Sequence, residues 1–283
     1  MPQVHASAIV DSAAELADDV QIGPFSIVGP GVRIGPGTQI GSHVVLVGRT
    51  TMGRNNRVFP YCSIGSDPQD KKYAGEATEL QIGDGNTFRE YCLINTGTAQ
   101  GGGVTRIGAQ NWVMGYAHVA HDCLVGNHTI IANGVQLAGH VNVGDWAIIG
   151  GTSAVHQFVR VGAHTMTGGG TILLQDLPPF LMCNGNPAQP HGVHVEGLKR
   201  RNFSAAAVTA LRRAYRIVYR DGLPLAEART ALDAYIAEVA AARATRGDGG
   251  EAGDAAAGPG ADSAGVLQQF AAFLAVTGRG IVR

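Results

Sequence analysis

A chain of 283 residues can bury one large core or two of ordinary size. Its formal charge of −1, with 15% charged residues, leaves no general basic field for nucleic acid or anionic lipid, so any anion recognition is local. Cys62, Cys92, Cys123 and Cys183 lie far apart with no C-x-x-C pair, which argues against a zinc ribbon or a disulfide framework and suits a reducing cytosol, where they read as buried small hydrophobes.

The opening MPQVHASAIV has no basic region followed by an apolar core, and no window approaches roughly 18 uninterrupted apolar residues, so the expectation is a cytoplasmic protein without a membrane span. From Val4 through Ile64 an apolar residue recurs every six positions, commonly followed by glycine, as in QIGPFSIVGPGVRIGPGTQIG. The phase holds at Ile82, Phe88 and Ile94, and again from Ile107 through Val161. A period of six is neither helical nor that of one long strand, so each hexad predicts a short strand and a corner. Three hexads make one coil, and coils stack as parallel strands about 4.8 Å apart with the aliphatic residue inward. The glycines are expected where a corner needs tight or positive-φ backbone that a bulky side chain would resist.

Two segments break the repeat, GSDPQDKKYAGEATEL (65–80) and NTGTAQGGGVTR (95–106), and predict loops thrown out of the prism. Between them and the end of the repeat lies GYAHVAHDCLVG (115–126). The coil length sets Gly139 over His121, with Gln157 one coil further, and His140 over Asp122, so that His118 and His156 fall on the same patch. An accessible histidine is suited to general-base work, a carboxylate beside it fixes its tautomer, and a glycine over it offers a bare N–H to an oxyanion. Neighbouring strand residues face opposite ways, so His121 and Asp122 pair only if the corner bends there. The competing reading is ordinary polar decoration of exposed corners.

After Leu173 the repeat fades, and from about Val195 the pattern turns helical, with Ser204 as an N-cap and Gly222 as a stop. The expected organisation is mainly β: a β-helix over 1–194, then a C-terminal α-helical domain over 195–283. RGDGGEAGDAAAGPGADSAG (246–265) reads as a disordered surface insertion.

The repeat resembles the hexapeptide-repeat family, which implies a left-handed parallel β-helix. The segments QDKKYAGE, TAQGGG, HVAHDC, LAGHV, AIIGGTSAVHQF and VEGLKRR, in that order, resemble the UDP-N-acetylglucosamine 3-O-acyltransferases, which act first in lipid A biosynthesis. The resemblance implies transfer of a (R)-3-hydroxyacyl group from acyl carrier protein to UDP-N-acetylglucosamine, in a homotrimer, with no metal, cofactor or covalent intermediate. It implies His121 as general base, Asp122 as its partner and the Gly139 N–H as oxyanion donor. His118, His140, His156 and Gln157 would hold substrate, as would Asp70 and Lys72 across a subunit interface. Glu196 and Arg200 would meet uracil and phosphate, and Lys199, Arg200 and Arg201 the acidic carrier. Gly169 falls at the acyl-chain ruler, where a glycine leaves room for about fourteen carbons. His194 and Pro187 depart from the family, which usually has Asn and His there.

Three other readings compete. A metal hydratase of the hexapeptide class would need an H-x-x-x-x-H pair, which is absent. The related N-acyltransferase carries a further N-terminal domain, whereas this repeat begins at Val4. A noncatalytic trimeric scaffold would leave the registered polar patch unexplained.

Overall fold

The computed structural model describes residues 1–246, 262–276 and 278–283. Each hexad forms a strand of two residues, as at Gln21–Ile22, Ile27–Val28 and Arg33–Ile34, and in each pair the second residue is buried. The next coil returns in register, with Gln21 beside Gln39 and Ile22 beside Ile40. Among the described residues, the strands form three sheets of eleven, nine and eight, which close into a left-handed parallel β-helix. These are called the first, second and third faces, in the order Gln21–Ile22, Ile27–Val28, Arg33–Ile34. On the first coil Val4 is exposed and Val10 and Leu16 are half-buried, whereas Ile22, Val28 and Ile34 one coil on are buried. The core is a column of aliphatic residues with Phe88 and the four buried cysteines, all free thiols.

The corners divide the two expected roles of glycine. The glycines after the inward aliphatic are needed for close approach: a Cβ on Gly23 would lie 2.7 Å from the backbone of Gly41, and one on Gly35 2.8 Å from Gly53. Positive φ falls on glycines at some corners, such as Gly37 (71°), Gly134 (69°) and Gly170 (69°), and also on large residues, including Phe25 (59°), His43 (56°), Tyr61 (65°), Tyr91 (61°) and Tyr116 (61°). The left-handed conformation costs roughly 1–2 kcal/mol per residue. Ring stacking along the corner offsets part of it: Tyr61, Tyr91 and Tyr116 lie parallel, with centroids 5.0 and 4.8 Å apart.

The loops are shorter than the sequence breaks. Strands Ser63–Ser66 and Glu79–Ile82 flank the first and leave 67–78 outside the prism. Strands Leu93–Asn95 and Val104–Ile107 flank the second, which holds a 3-10 turn at Ala99–Gly101.

An antiparallel hairpin, Leu181–Asn184 with Gln189–Val193, ends the first face and holds Pro187 in its turn. Four helices follow among the described residues: α1 (Val195–Arg200), α2 (Ala205–Tyr219), α3 (Leu225–Arg246) and α4 (Ser263–Ala275). Ser204 caps α2, accepting from the Ala207 N–H, and Gly222 beyond its end has φ 71°. Helix α2 buries Val208, Leu211, Ala214 and Val218 in the core that it shares with α3 and α4. Arg160, on the last coil, binds the buried Asp176 at 2.9 Å and donates to the Phe273 carbonyl of α4. Most of the expected insertion at 246–265 lies outside the described residues. Its ends do not: Arg246 closes α3, and Asp262 caps α4 by accepting from Gly265 N–H, so helix begins at Ser263. No described helix is long and apolar enough to cross a membrane.

At the corner between the third and first faces, His128, Trp146, His164 and Phe180 stack in turn. Burial, then the charge of Arg201, pushes His164 down to about 4 from 6.5. The unfolded chain takes up this proton near 6.5, while the folded chain refuses it until about 4. This contribution is therefore fully present above 6.5 and is lost as pH falls toward 4, on the order of 3 kcal/mol in all. Thermal unfolding followed from pH 7 to 4 should show this slope, and His164→Phe should flatten it; an unchanged slope would refute the assignment.

Candidate active site

The corner between the second and third faces carries the polar patch. Here the left-handed residues are Asp122 (60°), His140 (62°) and Phe158 (65°). The positive φ at Asp122 supplies the bend that strand alternation would deny, and turns two sequence neighbours toward each other. The His121 Nδ1–H donates to Asp122 Oδ2 at 2.8 Å, leaving Nε2 uncommitted within the pair. One coil on, the His140 N–H donates to the His121 carbonyl, which fixes the register. A Cβ on Gly139 would lie 2.4 Å from His121 Cε1 and 2.6 Å from Nε2, so the glycine lies directly against the ring. Among the described residues the Gly139 N–H has no acceptor.

Asp122 is buried and fully held. Its Oδ1 accepts from the Thr98 N–H at 2.9 Å, its Oδ2 accepts from the Thr98 hydroxyl at 2.6 Å, and its own N–H donates to the Thr105 hydroxyl. His140 Nε2 lies 3.6 Å from Asp122 Oδ2, and its ring stacks on Phe158 at 4.4 Å. Burial holds His140 and His118 below the usual histidine range, favouring neutral rings. His118 Nε2 pairs with Asn95 Oδ1 at 2.9 Å. His156, two coils from Ala120, pairs its Nδ1 with the Gln157 carbonyl, and Gln157 is exposed. The possible ligand atoms of His121, Asp122 and His140 lie within 4.8 Å of one another. A cation there would compete with three hydrogen bonds already made to the Asp122 carboxylate.

Asp70, on the 67–78 loop, accepts from the Lys72 N–H and from Gln100 Nε2. These bonds, the Lys72 amide first, hold its carboxyl below the usual range, and His121 adds an attractive charge. The Lys72 side chain is exposed.

The remaining expected residues stand elsewhere in the chain. Helix α1 puts Arg200 and Arg201 at a cleft of about 1020 Å³ with Trp146, His164 and Phe203, on the opposite edge of the third face from His121. Glu196 pairs with Lys199 at 3.1 Å. Arg201 is half-buried, donating to the Trp146 carbonyl with its guanidinium over the Trp146 ring, so it is a packing group as well as a cation. His194 is buried, its Nδ1 on the His164 carbonyl, and Gly197 is glycine because a Cβ would strike the His194 ring. Gly169 lies at the corner between the first and second faces, where a Cβ would meet only the Gly151 carbonyl at 3.5 Å. One chain thus gathers His118, His121, Asp122, Gly139, His140 and Asp70, and leaves Glu196, Arg200 and Gly169 on other edges. Sequence reasoning gave no role to Asn95, Thr98, Gln100, Gly101 or Thr105; the signals for them were their place in the 95–106 segment that interrupts the repeat and, for Thr98, Gln100 and Gly101, the TAQGGG run within it.

Residues 176–282 match the family described as Udp N-acetylglucosamine O-acyltransferase domain 2, and residues 13–48 and 105–139 match the bacterial transferase hexapeptide family. The chain is 56% identical over 232 residues to the acyl-[acyl-carrier-protein]–UDP-N-acetylglucosamine O-acyltransferase of Thiobacillus denitrificans, covering 82% of this chain and 90% of that one. The enzyme of the same name from Herminiimonas arsenicoxydans is 46% identical over the whole of both chains. Among solved structures, the Francisella novicida UDP-N-acetylglucosamine acyltransferase superposes with TM-score 0.88 at 36% identity, covering 99% of this chain and 94% of that one. The Moraxella catarrhalis UDP-N-acetylglucosamine O-acyltransferase gives 0.87 at 39%, covering 99% of each.

Proposed function

The chain belongs to the UDP-N-acetylglucosamine O-acyltransferase family, and from that premise we propose that it transfers a (R)-3-hydroxyacyl group from acyl carrier protein to the 3-hydroxyl of UDP-N-acetylglucosamine, the first step of lipid A biosynthesis. The observation that carries the reading is the free Gly139 amide set against a His121 ring that Asp122 holds by Nδ1. His121 Nε2 takes the proton of the sugar hydroxyl as its oxygen attacks the thioester carbonyl. The carbonyl oxygen becomes an oxyanion that accepts from the Gly139 N–H. Collapse breaks the carbon–sulfur bond, and the departing thiolate recovers the proton from the imidazolium. Asp122 stabilises that imidazolium, and no metal, cofactor or acyl-enzyme takes part.

Asp70, Lys72, His118, His140, His156 and Gln157 are the substrate-holding residues of this reading, and Glu196 and Arg200 its nucleotide contacts. Lys199, Arg200 and Arg201 form a local basic patch for the acidic carrier. Because these groups lie on different edges of one prism, a complete site calls for neighbouring copies, and the homotrimer supplies them. Exposed apolar residues on the flat faces, Ile27, Trp112, Leu124 and Ile130, support such burial. Gly169 sets a groove for about fourteen carbons, and the reaction is assigned to the cytoplasm.

The test is an ester-formation assay with UDP-N-acetylglucosamine and (R)-3-hydroxyacyl carrier proteins of ten, twelve and fourteen carbons, without added metal. Product, with the longest chain preferred, is the expected result. A trimer that binds the nucleotide but makes no ester would replace this reading with that of a binding scaffold.

A further inference from the structure

The loop that breaks the repeat at 95–106 reaches back to the base of the catalytic corner. Thr98 grips Asp122 twice, N–H to Oδ1 at 2.9 Å and hydroxyl to Oδ2 at 2.6 Å, so the carboxylate cannot rotate without breaking both bonds. The same hydroxyl accepts from the Gly101 N–H at 3.2 Å, as N-cap of the 3-10 turn Ala99–Gly101. A hydroxyl has one proton to give. With a lone pair engaged by Gly101, that proton is directed at Asp122.

We propose that Thr98, with the turn it caps, is the positioning residue of the His121–Asp122 pair: it fixes the carboxylate so that Oδ2 meets the imidazole Nδ1–H and Nε2 is left as the base. This deepens the general-base reading above and rests on it. Three further observations fit no other role for the loop as well. Gly101 lies so close to Asp122 that a Cβ would fall 2.1–2.4 Å from its carboxylate atoms. Gln100, one residue before Gly101, donates to Asp70 Oδ2 at 3.1 Å, so a single turn aligns the base with the loop that carries Asp70. Thr105, on the strand that leaves the loop, accepts the Asp122 N–H at 2.8 Å. The side chain of Thr98 is 1% exposed and bonded to Asp122, so it acts through the carboxylate.

Thr98→Val keeps shape and removes the hydroxyl. It is expected to lower kcat about 10- to 100-fold, the worth of a hydrogen bond to a charged group, with KM for UDP-N-acetylglucosamine within about twofold. Thr98→Ser should restore kcat to within a few fold. In an Asp122→Asn background Thr98→Val should cost almost nothing more, because its partner is already lost. Should Thr98→Val fail to fold, Gly101→Ala carries the test, since it leaves the hydroxyl and displaces the carboxylate, with the same fall in kcat. Unchanged kcat, an effect confined to KM, or full additivity with Asp122→Asn overturns the proposal. His121→Ala is run beside these: if it remains active the general-base reading itself fails, whereas an inactive His121→Ala with a fully active Thr98→Val sinks only the role of Thr98.

Discussion

His121→Ala is expected to reduce kcat by about 10³-fold, with the melting temperature and the affinity for UDP-N-acetylglucosamine nearly unchanged. The ring is partly buried at the corner, its side chain 15% exposed, but lies outside the apolar column, so its removal opens no cavity in the core. Its neighbours are poor substitutes. Burial favours neutral His140, but that ring stacks on Phe158 and its Nε2 points toward Asp122 at 3.6 Å. His118 has its Nε2 committed to Asn95. In the proposed mechanism the sugar hydroxyl would then lose its proton to water, and Asp122 would lose its imidazole partner. Steady-state rates at saturating sugar nucleotide, with calorimetry of the same samples, decide the matter. A kcat within tenfold of the parent would remove His121 from the base role; a large loss matched by His140→Ala would mean that the two rings act as one unit.

The parts of this site that a sequence reader can find are those governed by the repeat. Coil arithmetic alone sets Gly139 against His121 and His140 against Asp122, because parallel coils in register turn sequence separation into position. The same logic was silent about part of the corners, where Tyr61, Tyr91 and Tyr116 hold a left-handed conformation that glycine holds at others, such as Gly134. Rings stacked at the coil spacing compensate a local cost that propensity alone cannot see. Loop residues escape altogether: no periodicity tells how far 95–106 travels, so Thr98 beneath Asp122 is visible only in three dimensions. Arg201 is a similar case, since its sequence neighbours suggest a solvated cation and only the fold reveals Trp146 beneath it.

Gly139→Ala is expected to cost about 10²- to 10³-fold in kcat, the range seen when oxyanion-site geometry is lost, although it deletes no functional group. Gly139 is not among the residues with positive φ, so alanine meets no backbone penalty and the β-helix should fold with nearly the parent stability. Its N–H also remains. What changes is space: the new methyl would sit 2.4 Å from Cε1 and 2.6 Å from Nε2 of His121, and contacts that short cannot persist. The ring has little freedom to yield, because Nδ1 is held at 2.8 Å by a carboxylate that Thr98 itself holds. Either the hydrogen bond to Asp122 breaks or Nε2 leaves its present position, and under the proposed mechanism both would disable the base. The double variant separates this cause from a damaged oxyanion site. With His121 already alanine there is no ring to strike, so adding Gly139→Ala should change the residual rate by less than about threefold, as expected of neighbours that act through one another. A loss that persists in that background would instead mean that alanine disturbs the amide donor, and the glycine would then serve the oxyanion more than the base.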